Sequence, residues 1–139
     1  MSEQFGSGQC LCGAVAYTVH SEPVRMGQCH CVDCRRASGQ GHMSLAFFPE
    51  DAVKVTGETK EYAIVADSGN TNTRSFCGTC GGRLFGKNSA RQGVMAISVG
   101  TFDDSSWFNP GAIVYTKDYP GEWDHMDASV PTFEMMPPG

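Results

Sequence analysis

Seven cysteines are the side chains best able to do chemistry in this chain of 139 residues. They fall into three short groups with the spacings C-x-C, C-x-C-x-x-C and C-x-x-C: Cys10 and Cys12; Cys29, Cys31 and Cys34; Cys77 and Cys80. An odd number of cysteines, behind an N-terminus without the basic and apolar segments of a signal peptide, argues against a disulfide framework. Closely spaced thiolates are typical of tetrahedral metal sites, so the sequence predicts that all seven bind metal.

The first and last groups together supply four ligands. A structural zinc ion takes four thiolates, often from two knuckles that are distant in sequence. A glycine follows each group, and glycine lets the backbone turn and direct N–H groups at the sulfurs. Because this pairing closes a loop of more than sixty residues, we expect it to clamp the fold. The predicted structural zinc ligands are Cys10, Cys12, Cys77 and Cys80.

The central group, CHCVDC at residues 29–34, leaves three thiolates for a second metal: Cys29, Cys31 and Cys34. Three protein ligands and an exchangeable fourth position are the arrangement of catalytic zinc. Three thiolates also make the site anionic, which makes bound water a poor acid and favours a soft thiol ligand. The alternative is a closed, inert site in which His42 supplies the fourth bond. We expect a substrate thiol in that position.

Charge and composition narrow the classes of partner. The formal net charge is -5 and no stretch is strongly basic, which argues against nucleic-acid binding. No apolar run is long enough to span a membrane, so we expect a cytoplasmic protein without a membrane partner. Nothing in the sequence indicates an oligomeric state.

Short alternating runs separated by turn residues predict an all-β fold. The predicted strands cover residues 14–19, 42–48, 53–55, 62–65, 73–76, 94–99 and 112–115. One helical turn is predicted from Val32 to Ser38, directly after the central cysteines. The cysteines therefore lie at strand ends and in the turns between strands.

The order of the cysteine groups resembles that of the glutathione-dependent formaldehyde-activating enzyme family, which includes centromere protein V. The similarity rests on Cys-x-Cys-Gly at residues 10–13, Cys-His-Cys-x-x-Cys-Arg-Arg-Ala-Ser-Gly at residues 29–39, and Phe-Cys-x-x-Cys-Gly at residues 76–81. It extends over residues 6–130, which we take as one zinc-binding domain between tails at residues 1–5 and 131–139. The resemblance implies a β-tent fold of several small antiparallel sheets, zinc knuckles and little helix. It also implies two zinc ions per chain, one bound by four cysteines and the other by three, in agreement with the ligand count above.

The resemblance implies an activity as well. The family joins glutathione to formaldehyde as S-(hydroxymethyl)glutathione, a carbon–sulfur lyase reaction, and in this chain Cys29, Cys31 and Cys34 match the catalytic zinc ligands. The thiol of a small molecule such as glutathione would be held there as thiolate beside a carbonyl carbon, with a gain mostly in proximity and orientation.

Three neighbouring residues are predicted to act on the substrate. Arg36 can pair with a substrate carboxylate, Ser38 can shape the floor of the pocket, and His42 can carry a proton. Residues 109–124, with their tyrosines and Trp123, can line the pocket.

Two other hypotheses use the same residues. One is a non-enzymatic zinc-binding interaction or chaperone-like domain, in which the second metal site is closed. The other is a metal carrier or redox sensor that relies on the three central cysteines.

Overall fold

The computed structural model describes residues 3–137 and shows a β-rich fold built from two open sheets. Within these residues the chain forms one α-helix, α1 (Val32–Ser38), and ten strands: β1 (Gly6–Gln9), β2 (Ala16–Val19), β3 (Arg25–Cys29), β4 (Met43–Pro49), β5 (Val53–Thr56), β6 (Thr59–Val65), β7 (Thr71–Cys77), β8 (Arg83–Asn88), β9 (Val94–Ser98) and β10 (Ala112–Val114). The predicted all-β, β-tent class with little helix is confirmed. No helix among the described residues is long and apolar enough to cross a membrane.

Local sequence accounts for most of these elements. The seven predicted strands appear, with ends shifted by a few residues, as β2, β4, β5, β6, β7, β9 and β10, and α1 has the predicted bounds. The strands β1, β3 and β8 were not predicted. Their sequences, GSGQ, RMGQC and RLFGKN, contain glycine and lack the β-branched residues that favour extended backbone. In β3 and β8, hydrogen bonds to a neighbouring strand on each side stabilise the extended backbone that the local sequence does not favour.

The strands form a small and a large sheet. The small sheet has the order β1-β2-β5 and is antiparallel. The large sheet has the order β10-β3-β4-β9-β8-β7-β6, and its edge strand β10 runs parallel to β3. The strands β3, β4 and β9 lie next to one another within this sheet, and side chains of all three line one cavity.

The hydrophobic core lies between the small sheet and the back face of the large one. Tyr17 of β2 packs edge-on against Phe85 of β8 and against Phe102, with ring centroids 5.5 and 5.2 Å apart. Ala46 and Phe48 of β4 are fully buried in the same cluster. Because side chains alternate across a strand, their neighbours in β4 face the opposite side, where a cavity forms.

Candidate metal centres

The structure brings the first and the last cysteine groups together, as predicted. Cys10 and Cys12 lie in the turn after β1, Cys77 ends β7, and Cys80 lies in the turn before β8. The Sγ atoms of Cys10 and Cys12 are 3.8 Å apart, and those of Cys12 and Cys77 are 3.7 Å apart. A tetrahedral zinc ion with Zn–S bonds of about 2.3 Å places its sulfurs about 3.8 Å apart. The residues present therefore fit a four-thiolate metal ion.

Backbone N–H groups point at these sulfurs, as expected for zinc knuckles. The N–H of Thr79 donates to Sγ of Cys77 over 3.3 Å, and the N–H of Gly82 donates to Sγ of Cys80 over 3.4 Å. Backbone N–H groups, first that of Cys12 and then that of Gly82, lower the pKa of Cys80 to about 6. The turn thus favours the thiolate form that a metal requires.

The three-cysteine group sits where β3 meets α1. Cys29 ends β3, Cys31 caps the N-terminus of α1, and Cys34 is buried in the first turn of the helix. The N–H of Cys34 donates to Sγ of Cys31 over 3.2 Å, and the three sulfurs lie within 4.8 Å of one another. Hydrogen bonds from the thiols of Cys29 and Cys34 lower the pKa of Cys31, because they stabilise its thiolate. This donor set also fits a metal ion, with three bonds from the chain.

A cation from a distant strand contacts this group. Nη2 of Arg74, in β7, lies 3.8 Å from Sγ of Cys34. Three thiolates around a divalent metal carry a net negative charge, which this guanidinium partly offsets. Arg74 lies outside the cysteine spacings, so no sequence pattern indicated this contact.

The three-cysteine group opens into a cavity of about 580 Å³ on the front face of the large sheet. Its floor is apolar and comes mainly from adjacent strands: Met43, Leu45 and Phe47 of β4, and Val94 and Ala96 of β9. Six of the ten basic residues of the chain line it: Arg25, Arg74, Arg83, Lys87, Arg91 and Lys117. Only three of the fifteen acidic residues do so: Asp33, Asp67 and Asp118. In a protein of net charge -5, this concentrates positive charge around one cavity and favours an anionic ligand.

Residues 109–124 contribute to the cavity wall, as the sequence suggested. Tyr115, Lys117 and Asp118 line the end near the cysteines. Tyr115 adopts the left-handed backbone conformation with φ 57°, which is costly for a tyrosine. Burial, followed by the nearby Cys29 and Cys31, raises the pKa of its hydroxyl.

His42 lies in a separate polar cluster with His30 and Asp124. Nδ1 of His42 is 2.9 Å from Oδ1 of Asp124, and Nε2 of His30 is 3.0 Å from Oδ2 of the same carboxylate. These are hydrogen-bond distances, and the potential ligand atoms of this trio form a group distinct from the three cysteines. His42 is therefore engaged by Asp124 and not by the cysteine sulfurs.

The buried cluster ties two distant segments together. Burial lowers the pKa of His30, and Asp124 opposes this shift. Nδ1 of His30 has no hydrogen-bond partner among the described residues, which suits an acceptor nitrogen of a neutral ring whose Nε2–H donates to Asp124. Gly41 makes room for the contact, since a Cβ there would overlap the Asp124 carboxylate.

The other predicted substrate residues lie on or after α1. Arg36 is exposed, and Oγ of Ser38 donates to the backbone oxygens of Arg35 and His42 at the end of the helix. Arg36, Ser38 and His42 are absent from the residues, among 3–137, that line the cavity. Their roles toward a substrate stay predictions.

The sequence model of the glutathione-dependent formaldehyde-activating enzyme family matches residues 6–118. The chain belongs to this family. The match includes all seven cysteines and both metal centres, and it ends before Asp124. The predicted domain limit at residue 130 stays a prediction.

Comparison with solved structures finds the same fold elsewhere. A crystal structure of a protein from Rhodobacter sphaeroides aligns with a TM-score of 0.57 and 20% sequence identity, over 91% of this chain and 98% of that one. No curated protein matches the chain. The family is therefore shown by the sequence model, and the Rhodobacter protein shows the fold.

Proposed function

We propose that this family member is a zinc enzyme that acts on thiol adducts, by forming S-(hydroxymethyl)glutathione from glutathione and formaldehyde or by an analogous reaction. One observation carries the proposal: the three-cysteine group opens into a cavity of about 580 Å³, and that cavity is lined by basic side chains. A three-thiolate metal needs a fourth ligand, and an anionic thiol suits both the metal and the cavity.

The reaction is a simple addition. A zinc ion held by Cys29, Cys31 and Cys34 would supply an exchangeable position at which a thiol loses its proton. The substrate sulfur donates an electron pair to the carbonyl carbon and forms the C–S bond. The π pair of the carbonyl moves to its oxygen, which takes up the proton that the thiol released.

The residues of the chain orient and screen the reactants. Arg74, beside Cys34, stabilises negative charge at the centre. The apolar floor made by Met43 and Leu45 lowers the local dielectric constant beside the sulfurs, which strengthens the electrostatic interactions there. Seven unpaired thiols suit a reducing compartment, so we propose a cytoplasmic location.

Metal content and X-ray absorption test the centre itself. We expect two zinc ions per chain, one with four sulfur ligands and one with three, and we expect glutathione to add a fourth sulfur to the second. Cys31→Ser should lose the second ion and its response to glutathione. A second ion that already has a histidine ligand and ignores thiols would overturn the proposal.

Catalysis must exceed the spontaneous reaction of thiols with formaldehyde. Exchange NMR of glutathione and formaldehyde measures the rate of adduct formation with the zinc-loaded protein, with Cys31→Ser and without protein. Lys54→Gln, an exposed residue of β5 in the small sheet, is the matched surface control and should behave as wild type. A rate equal to the background, despite thiol binding at the metal, would favour a binding or chaperone-like domain.

A further inference from the structure

The end of the cavity away from the cysteines holds two arginines on one aromatic ring. Cζ of Arg25 lies 4.8 Å from the centroid of Phe47, and Cζ of Arg91 lies 5.6 Å from it. Packing two guanidinium groups on one ring brings like charges together, and the neighbouring charge of Arg91 adds to burial in lowering the pKa of Arg25. This arrangement costs free energy unless an anion joins it.

No side chain of the described residues supplies that anion. The ion pairs found among residues 3–137 are Lys87 with Glu50, Lys117 with Asp118, and the two histidines with Asp124. Neither Arg25 nor Arg91 forms an ion pair or a side-chain hydrogen bond within that part of the chain. Other basic residues of the cavity, Lys87 and Lys117, do have carboxylate partners.

The pair faces open space. A smaller cavity of about 200 Å³ is lined by Val24, Arg25, Phe47, Arg91 and Val94, and all but Val24 also line the large cavity. Arg25 is exposed, while Arg91 and Phe47 are half-buried. Two forked donors beside an aromatic ring form a suitable surface for a planar carboxylate, which arginine binds through two parallel hydrogen bonds.

Strand register sets the distance from this pair to the metal centre. Cys29 is paired with Met43 and Arg25 with Phe47 across the adjacent strands β3 and β4. Four residues along a strand span about 13 Å, and the arginine side chain covers part of this. A two-carbon thiol cannot bridge the two ends, whereas a thiol of tripeptide size can.

We propose that Arg25 and Arg91, on the ring of Phe47, form a carboxylate subsite that selects peptide-sized anionic thiols whose sulfur binds at the three-cysteine centre. This inference rests on the proposed function, and it names a specificity determinant that lies apart from the cysteine motif. The residue predicted from sequence for carboxylate binding, Arg36, lies on α1 and does not line the cavity.

Calorimetry with the zinc-loaded protein tests the subsite. Glutathione and 2-mercaptoethanol are titrated into wild type, Arg25→Gln, Arg91→Gln and the control Lys54→Gln. Losing a charge-assisted bidentate contact should weaken glutathione binding by about tenfold or more in each arginine variant. The affinity for 2-mercaptoethanol, which has no carboxylate, should change by less than about twofold. Equal losses for both thiols, or no loss for glutathione, would overturn the subsite.

A thiol-free ligand separates this inference from the proposed function. S-Methylglutathione keeps both carboxylates and cannot donate a thiolate to the metal. If the proposed function fails and no thiol binds the metal, S-methylglutathione should still shift the NMR signals of the Phe47 ring and of the arginine Nε–H groups. The absence of such shifts in wild type would overturn the subsite by itself. Thermal unfolding of each variant checks its fold, and Arg25→Lys, which keeps the charge, should recover part of the glutathione affinity.

Discussion

The two cysteine centres share ligand chemistry and differ in what they connect. The four-cysteine centre joins the turn after β1 to the turn between β7 and β8. Cys10, Cys77 and Cys80 pack in or against the hydrophobic core, while Cys12 is exposed. The three-cysteine centre draws its sulfurs from six consecutive positions and opens into a cavity. The two centres therefore differ in the sequence separation of their cysteines and in access to a cavity, whereas their ligand type is the same.

The segment that carries the three cysteines is also connected to a distant part of the chain, but by hydrogen bonds and not by a shared metal ion. His30, between two of the cysteines, bonds to Asp124 from 94 residues away, and His42 shares that carboxylate. Asp124 thus fixes this loop through His30 and His42, which form a group separate from the three cysteine sulfurs.

The largest effect is expected for Cys77→Ser. Cys77 is buried, and losing its thiolate would remove most of the metal-binding free energy that stabilises the fold, on the order of 5 kcal/mol or more. We expect no cooperative thermal transition by circular dichroism. Cys31→Ser is the matched control, and it should retain that transition with one zinc fewer per chain. Similar unfolding of both variants would remove the distinction between the centres.

A chelator should remove the zinc ion of the three-cysteine centre before that of the four-cysteine centre. A competing chelator can reach the exchangeable position of the three-cysteine centre, so one equivalent of zinc should leave while circular dichroism is unchanged. Loss of the second equivalent should coincide with unfolding. Added glutathione should slow release of the first ion only, measured with a zinc-sensitive dye. Simultaneous release of both ions would contradict the proposed difference between the two centres.

Asp124→Ala tests the hydrogen-bonded link. The substitution leaves two imidazole rings without their partner, and His30 is fully buried, so we expect a loss of about 1–3 kcal/mol in the free energy of unfolding. Zinc affinity of the three-cysteine centre should also fall. The control is Glu122→Ala, an exposed acid two residues away, which should change neither quantity.

A double variant tests whether Gly41 and Asp124 stabilise the fold through the same contact. Gly41→Ala places a Cβ against the Asp124 carboxylate and should disrupt the link from the other side. If so, Gly41→Ala and Asp124→Ala together should cost clearly less than the sum of the single effects in urea unfolding. Additive losses would show that Gly41 does not act through Asp124.

The smallest effect is expected for Gly39→Ala, at the end of α1. Gly39 has φ 71° and a Cβ there would meet open space, so only the left-handed backbone is penalised, by about 1 kcal/mol. Urea unfolding measures the loss, and glutathione affinity should stay unchanged because the sulfurs do not move. A loss as large as that of Asp124→Ala would show that the end of α1 contributes to fixing the centre.

The cysteine groups could be predicted because metal-ligand spacing is a local property. Cys77 and Cys80 are separated by two residues, a spacing that can bring both sulfurs to one metal ion whatever the rest of the chain does. Strands with β-branched residues, such as β9 with Val94 and Ile97, could be predicted because that preference is also local. The helix α1 follows its cysteine cap directly, and its bounds agree with the prediction.

The missed features are those that depend on partners far along the chain. The strand β3 has a poor local β pattern because its side chains serve the cavity, where Arg25 and Cys29 both lie. The strand β8, equally unpredicted, carries Arg83 and Lys87 to the same cavity. Charged side chains that line the cavity thus stand where β-branched residues would have indicated a strand.

Sequence alone determined the number of thiolates, their division into four and three, and the membership that the motifs indicate. Only the tertiary structure decided what surrounds the three-cysteine centre, because a sheet brings Arg25, Arg74 and Arg91 from three separate segments around one cavity. It also placed His42 against Asp124, a pairing across 82 residues that no local pattern encodes. The type of metal ligand can be read from the short spacing of the cysteines, whereas the charge and shape of the surrounding cavity arise from contacts between residues distant in sequence.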